Sequence, residues 1–203
     1  MSEAKGMYVN MVLDNYIIVV LVNITSLIDE NGCKYNRFEQ LIKVLSNIQD
    51  AGNKIIIVSS GAIASGANQL NMEFKSDELI NQGFFGAIGQ CKIIQLYFES
   101  FGKYDKTIAQ ILLNIKDFEN EKKKAELLKT LDFLLHMQII PIIQNDCIGH
   151  MNWNSVDKCF EDCIILSLAV TFLIKADKMI IYSDVDSISD NYFENVYESF
   201  ILQ

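Results

Sequence analysis

Short runs of apolar, largely β-branched residues divide this chain at intervals that a helix would fill: Tyr16–Val22, Lys54–Val58, Thr107–Leu113, Gln138–Ile143 and Lys178–Tyr182. Each run is continuous rather than alternating, which is the pattern of a strand buried on both faces. Between them, Phe38, Leu41, Ile42, Leu45 and Ile48 form a helical stripe ending near Gly52, and Leu79–Phe101, Ala125–Met137 and Ile164–Leu173 read as further helices. Strand and helix alternate throughout, so the predicted fold class is α/β, a mostly parallel sheet with helices on both faces. Half of the 203 residues are apolar, enough to bury a core, and residues 1–203 are read as a single domain without repeats or low-complexity linkers.

Two features qualify this pattern. Pro141, the one proline, lies inside the run IIPIIQND and predicts an edge strand or a strand start. Gly83, Gly86 and Gly89 recur every three residues inside the segment from Leu79, where each glycine costs roughly 1 kcal/mol against alanine. No strand leads directly into them, so they predict close backbone packing rather than a phosphate loop. Lys122, Lys123 and Lys124, after Glu119 and Glu121, are read as a solvated helix face.

The segment Ile55–Gly66, IIIVSSGAIASG, is the best candidate site. A strand runs into Ser59, Ser60 and Gly61 and then into a helix of small residues. The first turn of a helix carries unpaired N–H groups and partial positive charge, and a glycine lets a ligand approach the backbone. The same residues also fit a strand, a serine N-cap and a helix with no ligand.

Composition narrows the partners. A formal charge of −9 and a lone arginine, Arg37, argue against nucleic acid, whose binders present a basic face. Tyr16–Val22 is too short to span a bilayer, and the start MSEAKG resembles neither a signal nor a transit peptide, so no membrane role and a cytoplasmic location are expected. Five cysteines, at 33, 91, 147, 159 and 163, make an odd number without a disulfide framework, which fits a reducing compartment. Cys147, His150, Cys159 and Cys163 have spacings that admit tetrahedral zinc, and they equally fit core thiols beside a surface histidine. His136, between Leu135 and Met137, reads as structural, and Trp153 as a ligand cap or an oligomer contact.

From about residue 16 to 191 the chain resembles the glutamate 5-kinase family, including the kinase half of eukaryotic pyrroline-5-carboxylate synthase. The segments that carry the likeness are IIIVSSGAIASG, GFFGAIGQCKIIQLYFESF, IAQILLNIKDFENE, LLHMQIIPIIQND, FEDCIILSLAV and ADKMIIYSDVDSIS, in the family's order. The resemblance implies an amino acid kinase-like α/β/α sandwich, with the C-terminal part of the fold missing. It implies transfer of the γ-phosphoryl group of ATP, with Mg2+, to the side-chain carboxylate of L-glutamate, the first step of proline biosynthesis. Ser60, Gly61 and Ala62 would then hold glutamate or the transferring group, Asn145 and Asp146 would bind substrate, and Ser183 and Asp184 would support the nucleotide. It further implies a homo-oligomer or association with a related kinase chain, and a mitochondrial location if the chain derives from the eukaryotic synthase.

Departures from the family's pattern are as informative. Val22 stands where the family has a phosphoryl-binding lysine, or Asn23 if the register shifts by one, and Ile24 replaces a phosphate-side glycine. The substrate loop Ile143-Gln144-Asn145-Asp146 is one residue short. Ile164 occupies the position of the catalytic aspartate and Cys163 that of a substrate asparagine, with Asp162 retained. Ser187 replaces a glycine, and Gln203 precedes the place of the family's nucleotide loop. Each lost charged contact costs on the order of 10² to 10³ in rate, so the expectation is a glutamate 5-kinase-like domain with impaired or absent catalysis, acting by ligand binding or assembly. The alternatives are an active kinase in which Lys54, Lys116 or Lys178 replaces the missing lysine, and a zinc-binding structural protein.

Overall fold

The computed structural model describes residues 15–26, 35–72, 79–146 and 156–182. In chain order these form β1 (Ile17–Asn23), a 3-10 turn (Ile24–Ser26), α1 (Tyr35–Asp50), β2 (Lys54–Ser60), α2 (Ala62–Gln69), α3 (Leu79–Gly102), β3 (Ile108–Leu113), a second 3-10 turn (Ile115–Phe118), α4 (Glu121–His136), β4 (Ile140–Asn145), α5 (Val156–Ile174) and β5 (Lys178–Tyr182). All strand pairs are parallel, and the strands lie in the order β3-β4-β2-β1-β5. The expected α/β/α architecture with a parallel sheet is thus the observed one.

Successive residues of a strand point to opposite faces, and both faces are apolar. Ile18, Val20 and Val22 of β1, Ile55 and Ile57 of β2, and Ile140 and Ile142 of β4 pack with Phe38, Leu41, Ile42 and Leu45 of α1 and Ile93, Tyr97 and Phe101 of α3. On the other face Val19, Leu21, Ile56, Val58 and Ile143 pack with Leu131 and Leu135 of α4 and Ile164, Leu166 and Val170 of α5. This explains why the central strands read as continuous apolar runs. The outer runs differ from that reading: β3 and β5 are half exposed, because they are the sheet's edges among the described residues.

Pro141 is the second residue of β4, an interior strand, so it marks a strand start and not an edge. The register explains why it is tolerated. β4 pairs with β2 only from Ile142, so the ladder requires no N–H from Pro141 on that side, and on the other side the Ile140 N–H already donates to Thr107 O at 2.9 Å.

Gly89 bears out close packing. A Cβ there would lie 1.7 Å from the Ala62 carbonyl oxygen and 2.8 Å from the Gly66 nitrogen, and a Cβ on Gly66 would lie 1.9 Å from Phe85 O. α2 and α3 therefore cross backbone to backbone, and α3 braces the first turn of α2. The lysines at 122 and 123 are exposed as expected, their N–H groups capped by the Asn120 side chain.

Gly89→Ala is expected to lower stability by about 1–3 kcal/mol, the usual cost of overpacking. Gly102→Ala, whose Cβ would meet nothing within 4 Å, should be neutral or stabilising by up to about 1 kcal/mol. Urea unfolding of both variants measures the contrast, and equal effects would refute the brace.

Candidate functional site

The chain leaves β2 for helices on the α1/α3 face and leaves β4 for α5 on the opposite face. The carboxyl ends of these adjacent strands therefore border a crevice at a topological switch point, the usual ligand position in open α/β sheets. Ser59, Ser60 and Gly61 form one wall and Gln144, Asn145 and Asp146 the other, with Ser59 in register with Gln144.

β2 runs through Ser60, and the N-cap of α2 is Gly61, not a serine. Gly61 has φ 97° and ψ 13°, a left-handed conformation that side-chain-bearing residues seldom adopt, and among the described residues no side chain caps the helix start. A Cβ on Gly61 would also come 3.0 Å from Thr25 Cγ2. The glycine thus admits the turn after β1 as well as turning the chain. Ser65 N–H donates to Gly61 O at 2.9 Å, closing the first turn. Ala62, half-buried, starts the helix against Gly89.

The turn after β1 is organised by Asn23, whose side-chain oxygen accepts from Thr25 Oγ1 at 2.7 Å, Thr25 N at 3.3 Å and Ser60 Oγ at 3.4 Å. This ties Ser60, 4% exposed, to the neighbouring strand. On the facing wall Asp146 N–H donates to Leu113 O at 2.9 Å, and Gln90 of α3 donates to the Asn145 carbonyl at 2.7 Å. Asn145 and Asp146 are half-buried at the crevice. The serines, Gly61, Ala62, Asn145 and Asp146 thus lie at one edge of the sheet.

Gln144 and Tyr97 escaped that reading. Gln144 is buried, its Oε1 accepts from Gln110 Nε2 at 2.9 Å, and its own amide nitrogen has no hydrogen-bond partner among the described residues. A buried unpaired donor costs about 1–3 kcal/mol, and such groups ask for a ligand or water. The fully buried Tyr97 donates to Ser59 Oγ at 3.3 Å, with its ring edge-on to Phe38 at 5.2 Å. Burial holds the Tyr97 phenol well above its ordinary range, against a smaller opposing effect of the Ser59 bond. The polar residues at the end of β4 carried a signal for Gln144. Tyr97, 38 residues from Ser59, carried none.

The two residues that the resemblance aligns with a family lysine and aspartate are core residues. Val22 is 0% exposed on the α1/α3 face, and Ile164 is 2% exposed on the other, beside the buried Cys163. Of the lysines considered as substitutes, Lys54 and Lys178 begin β2 and β5 and so stand at the opposite edge; Lys178 lies over the Tyr16 ring at 4.8 Å. Six residues of strand put Lys54 roughly 20 Å from Ser60. Lys116, in the turn after β3, is at the crevice edge and exposed.

Ser183, Asp184, Cys147, His150 and Trp153 lie outside the described residues, as does the side chain of Cys159. Among the described residues no three His, Cys, Asp or Glu side chains group as metal ligands. His136 ends α4, exposed. No described helix is long and apolar enough to cross a membrane.

The architecture and crevice define a doubly wound α/β protein with a polar site at the carboxyl edge of its sheet. A family model described as the amino acid kinase family matches residues 25–197, and the chain belongs to that family. It is similar to the glutamate 5-kinase of Clostridium perfringens (strain 13 / Type A), 37% identical over 180 residues, covering 88% of this chain and 66% of that protein. The glutamate 5-kinase of Enterococcus faecalis is 34% identical over 177 residues, with 86% and 65% covered. That of Caldanaerobacter subterraneus subsp. tengcongensis is 35% identical, with 85% and 46% covered. The chain spans between about half and two thirds of the length of these relatives.

Tyr97 gives the site a pH signature. The phenol's raised value means that stability is intact below the unfolded value of about 10 and falls as pH rises above it, by up to about 1.4 kcal/mol per pH unit for one proton. Tyr97→Phe is expected to cost about 1 kcal/mol near neutrality through the Ser59 bond and then to lose less than the native chain between about pH 10 and 11. Parallel unfolding profiles would show that the phenol titrates as if in water.

Proposed function

We propose that this glutamate 5-kinase-like chain binds L-glutamate at the switch-point crevice while its phosphotransfer is impaired or lost. The observation that carries the reading is the burial of Val22 and Ile164 in the two core layers. A lysine at one and an aspartate at the other would serve transfer in the family. A buried valine or isoleucine instead contributes roughly 1.5–3 kcal/mol to folding and offers a developing phosphoryl charge nothing. What remains are neutral donors, namely the first turn of α2, Ser60 and the amide nitrogen of Gln144, together with Asn145 and the acceptor carboxylate of Asp146. These suit a carboxylate at one end and an amine beside Asp146 at the other.

MgATP fits less well. Of the three lysines considered as substitutes only the exposed Lys116 stands at this edge, and the residues that the resemblance aligns with the family's lysine and aspartate are apolar. No chemical step through the nucleotide follows from such a donor set. Its site would draw on Ser183 and Asp184, and nucleotide binding without rapid turnover is compatible with the reading. The second reading, an active kinase with a rearranged site, rests on Lys116 alone. Assembly with itself or with a related kinase chain would give a glutamate-binding domain a regulatory use.

Calorimetry with L-glutamate, and hydroxamate formation from glutamate, MgATP and hydroxylamine, test the proposal. Expected are saturable glutamate binding, weakened at least about tenfold by Gln144→Leu, and turnover at least about 10³-fold below that of an intact glutamate 5-kinase. Robust turnover abolished by Lys116→Ala would establish the second reading instead. Absence of glutamate binding would refute the ligand assignment.

A further inference from the structure

We propose, on the reading of the crevice as a glutamate site, that it takes L-glutamine at least as readily as L-glutamate and that the Gln110–Gln144 pair sets this preference. The two amino acids share their amine and α-carboxylate. They differ only at the end of the side chain, where one carries a charge and the other a neutral carboxamide. In the site described above that end lies against Ser60, the first turn of α2 and Gln144, with the amine beside Asp146.

Gln144 is 1% exposed near the end of β4, in register with Ser59 and so on the same face of the sheet. Its Oε1 accepts from Gln110 Nε2 of β3 at 2.9 Å, and its Nε2 has no partner among the described residues. A primary amide has a donating end and an accepting end of nearly equal size. Turning both amides over converts the bond into one from Gln144 Nε2 to Gln110 Oε1 and leaves Gln144 Oε1 as the free group. Gln110 is exposed, so water satisfies whichever of its own ends is left over. The pair therefore presents either a donor or an acceptor from the same buried position.

The neighbouring hydroxyls have the same freedom. Ser59 Oγ accepts from Tyr97 at 3.3 Å and retains its own proton to donate. Ser60 Oγ donates to Asn23 Oδ1 at 3.4 Å, a long bond that leaves its lone pairs for an incoming N–H and its proton easily redirected. A carboxylate only accepts and so uses half of this set, whereas a carboxamide accepts and donates and uses all of it. Charge acts in the same direction. Ser59, Ser60, Tyr97, Gln110 and Gln144 include no cation, and the first turn of α2 offers roughly half an elementary charge. A carboxylate drawn from water into such surroundings loses hydration that neutral donors restore only in part, while a carboxamide has no charge to strip.

Calorimetry of the full chain with each amino acid tests the assignment. The dissociation constant for L-glutamine is expected to equal or fall below that for L-glutamate. Gln110→Glu would hold the Gln144 nitrogen and turn its oxygen to the ligand, raising the preference for glutamine at least about tenfold. Gln110→Lys would donate to the Gln144 oxygen and turn the nitrogen to the ligand, moving the preference toward glutamate. Either variant serves if circular dichroism shows the other misfolded. In a Gln144→Leu background both exchanges should change the ratio less than about twofold, because only a charge acting at a distance would keep its effect there. Glutamate binding with glutamine at least about tenfold weaker would overturn the proposal and leave the glutamate site standing. Binding of neither would overturn both. A ratio indifferent to Gln110, or one that follows it equally in the Gln144→Leu background, would also overturn the proposal.

Discussion

A parallel sheet covered on both faces accepts polar side chains only where its strands end, and that constraint arranges the rest of this molecule. β1, β2 and β4 are apolar on alternate residues toward both helical layers. An unpaired charge in their middle would lose its hydration without compensation, at a cost exceeding what a buried valine contributes. Ser59, Ser60, Gln144 and Asn145 are confined to the last residues of β2 and β4 for this reason. Because every strand points the same way, those ends share one edge.

On the reading proposed above, the same constraint would let a fold of this kind lose charge and stay folded. A lysine at Val22 or an aspartate at Ile164 would sit at the border between core and crevice, its charge satisfied by its counterparts there. When the whole set is replaced by apolar residues, both core layers simply extend by one side chain, as Val22 and Ile164 do. Reversal of one position alone would leave a buried charge without partners, the costliest arrangement of the three. If the resemblance aligns these positions rightly, phosphotransfer and core packing compete for them, and the side chains now there, Val22 and Ile164, are packed in the core.

Much of the fold was legible because the central strands are buried on both sides and therefore read as unbroken apolar runs. Their carboxyl ends were read short: β2 continues through Ser59 and Ser60, and β4 through Gln144 and Asn145, where apolar patterning stops but backbone pairing does not. The edge strands β3 and β5 have the same composition as the interior ones, so their exposure depends on sheet order, which local pattern does not encode. Gly61 and Gly89 could be read as sites of close approach, though not what approaches them: the turn at Thr25 and the carbonyl of Ala62. Lys54 and Lys178 seemed available for catalysis only while strand direction was ignored. Each starts its strand, which in a parallel sheet means the edge opposite the crevice.

α3 connects these observations. Its Gly89 fixes where α2 begins, its Gln90 holds the end of β4 through Asn145, and its Tyr97 reaches Ser59 at the end of β2. One rigid helix therefore touches both walls of the crevice. A glutamate bound between those walls, as proposed above, would lie against two strand ends that this one helix keeps in place. Gly89, Gln90 and Tyr97 would then set the geometry of the site as positioning residues, through the backbone and side chains they touch and not through the ligand itself.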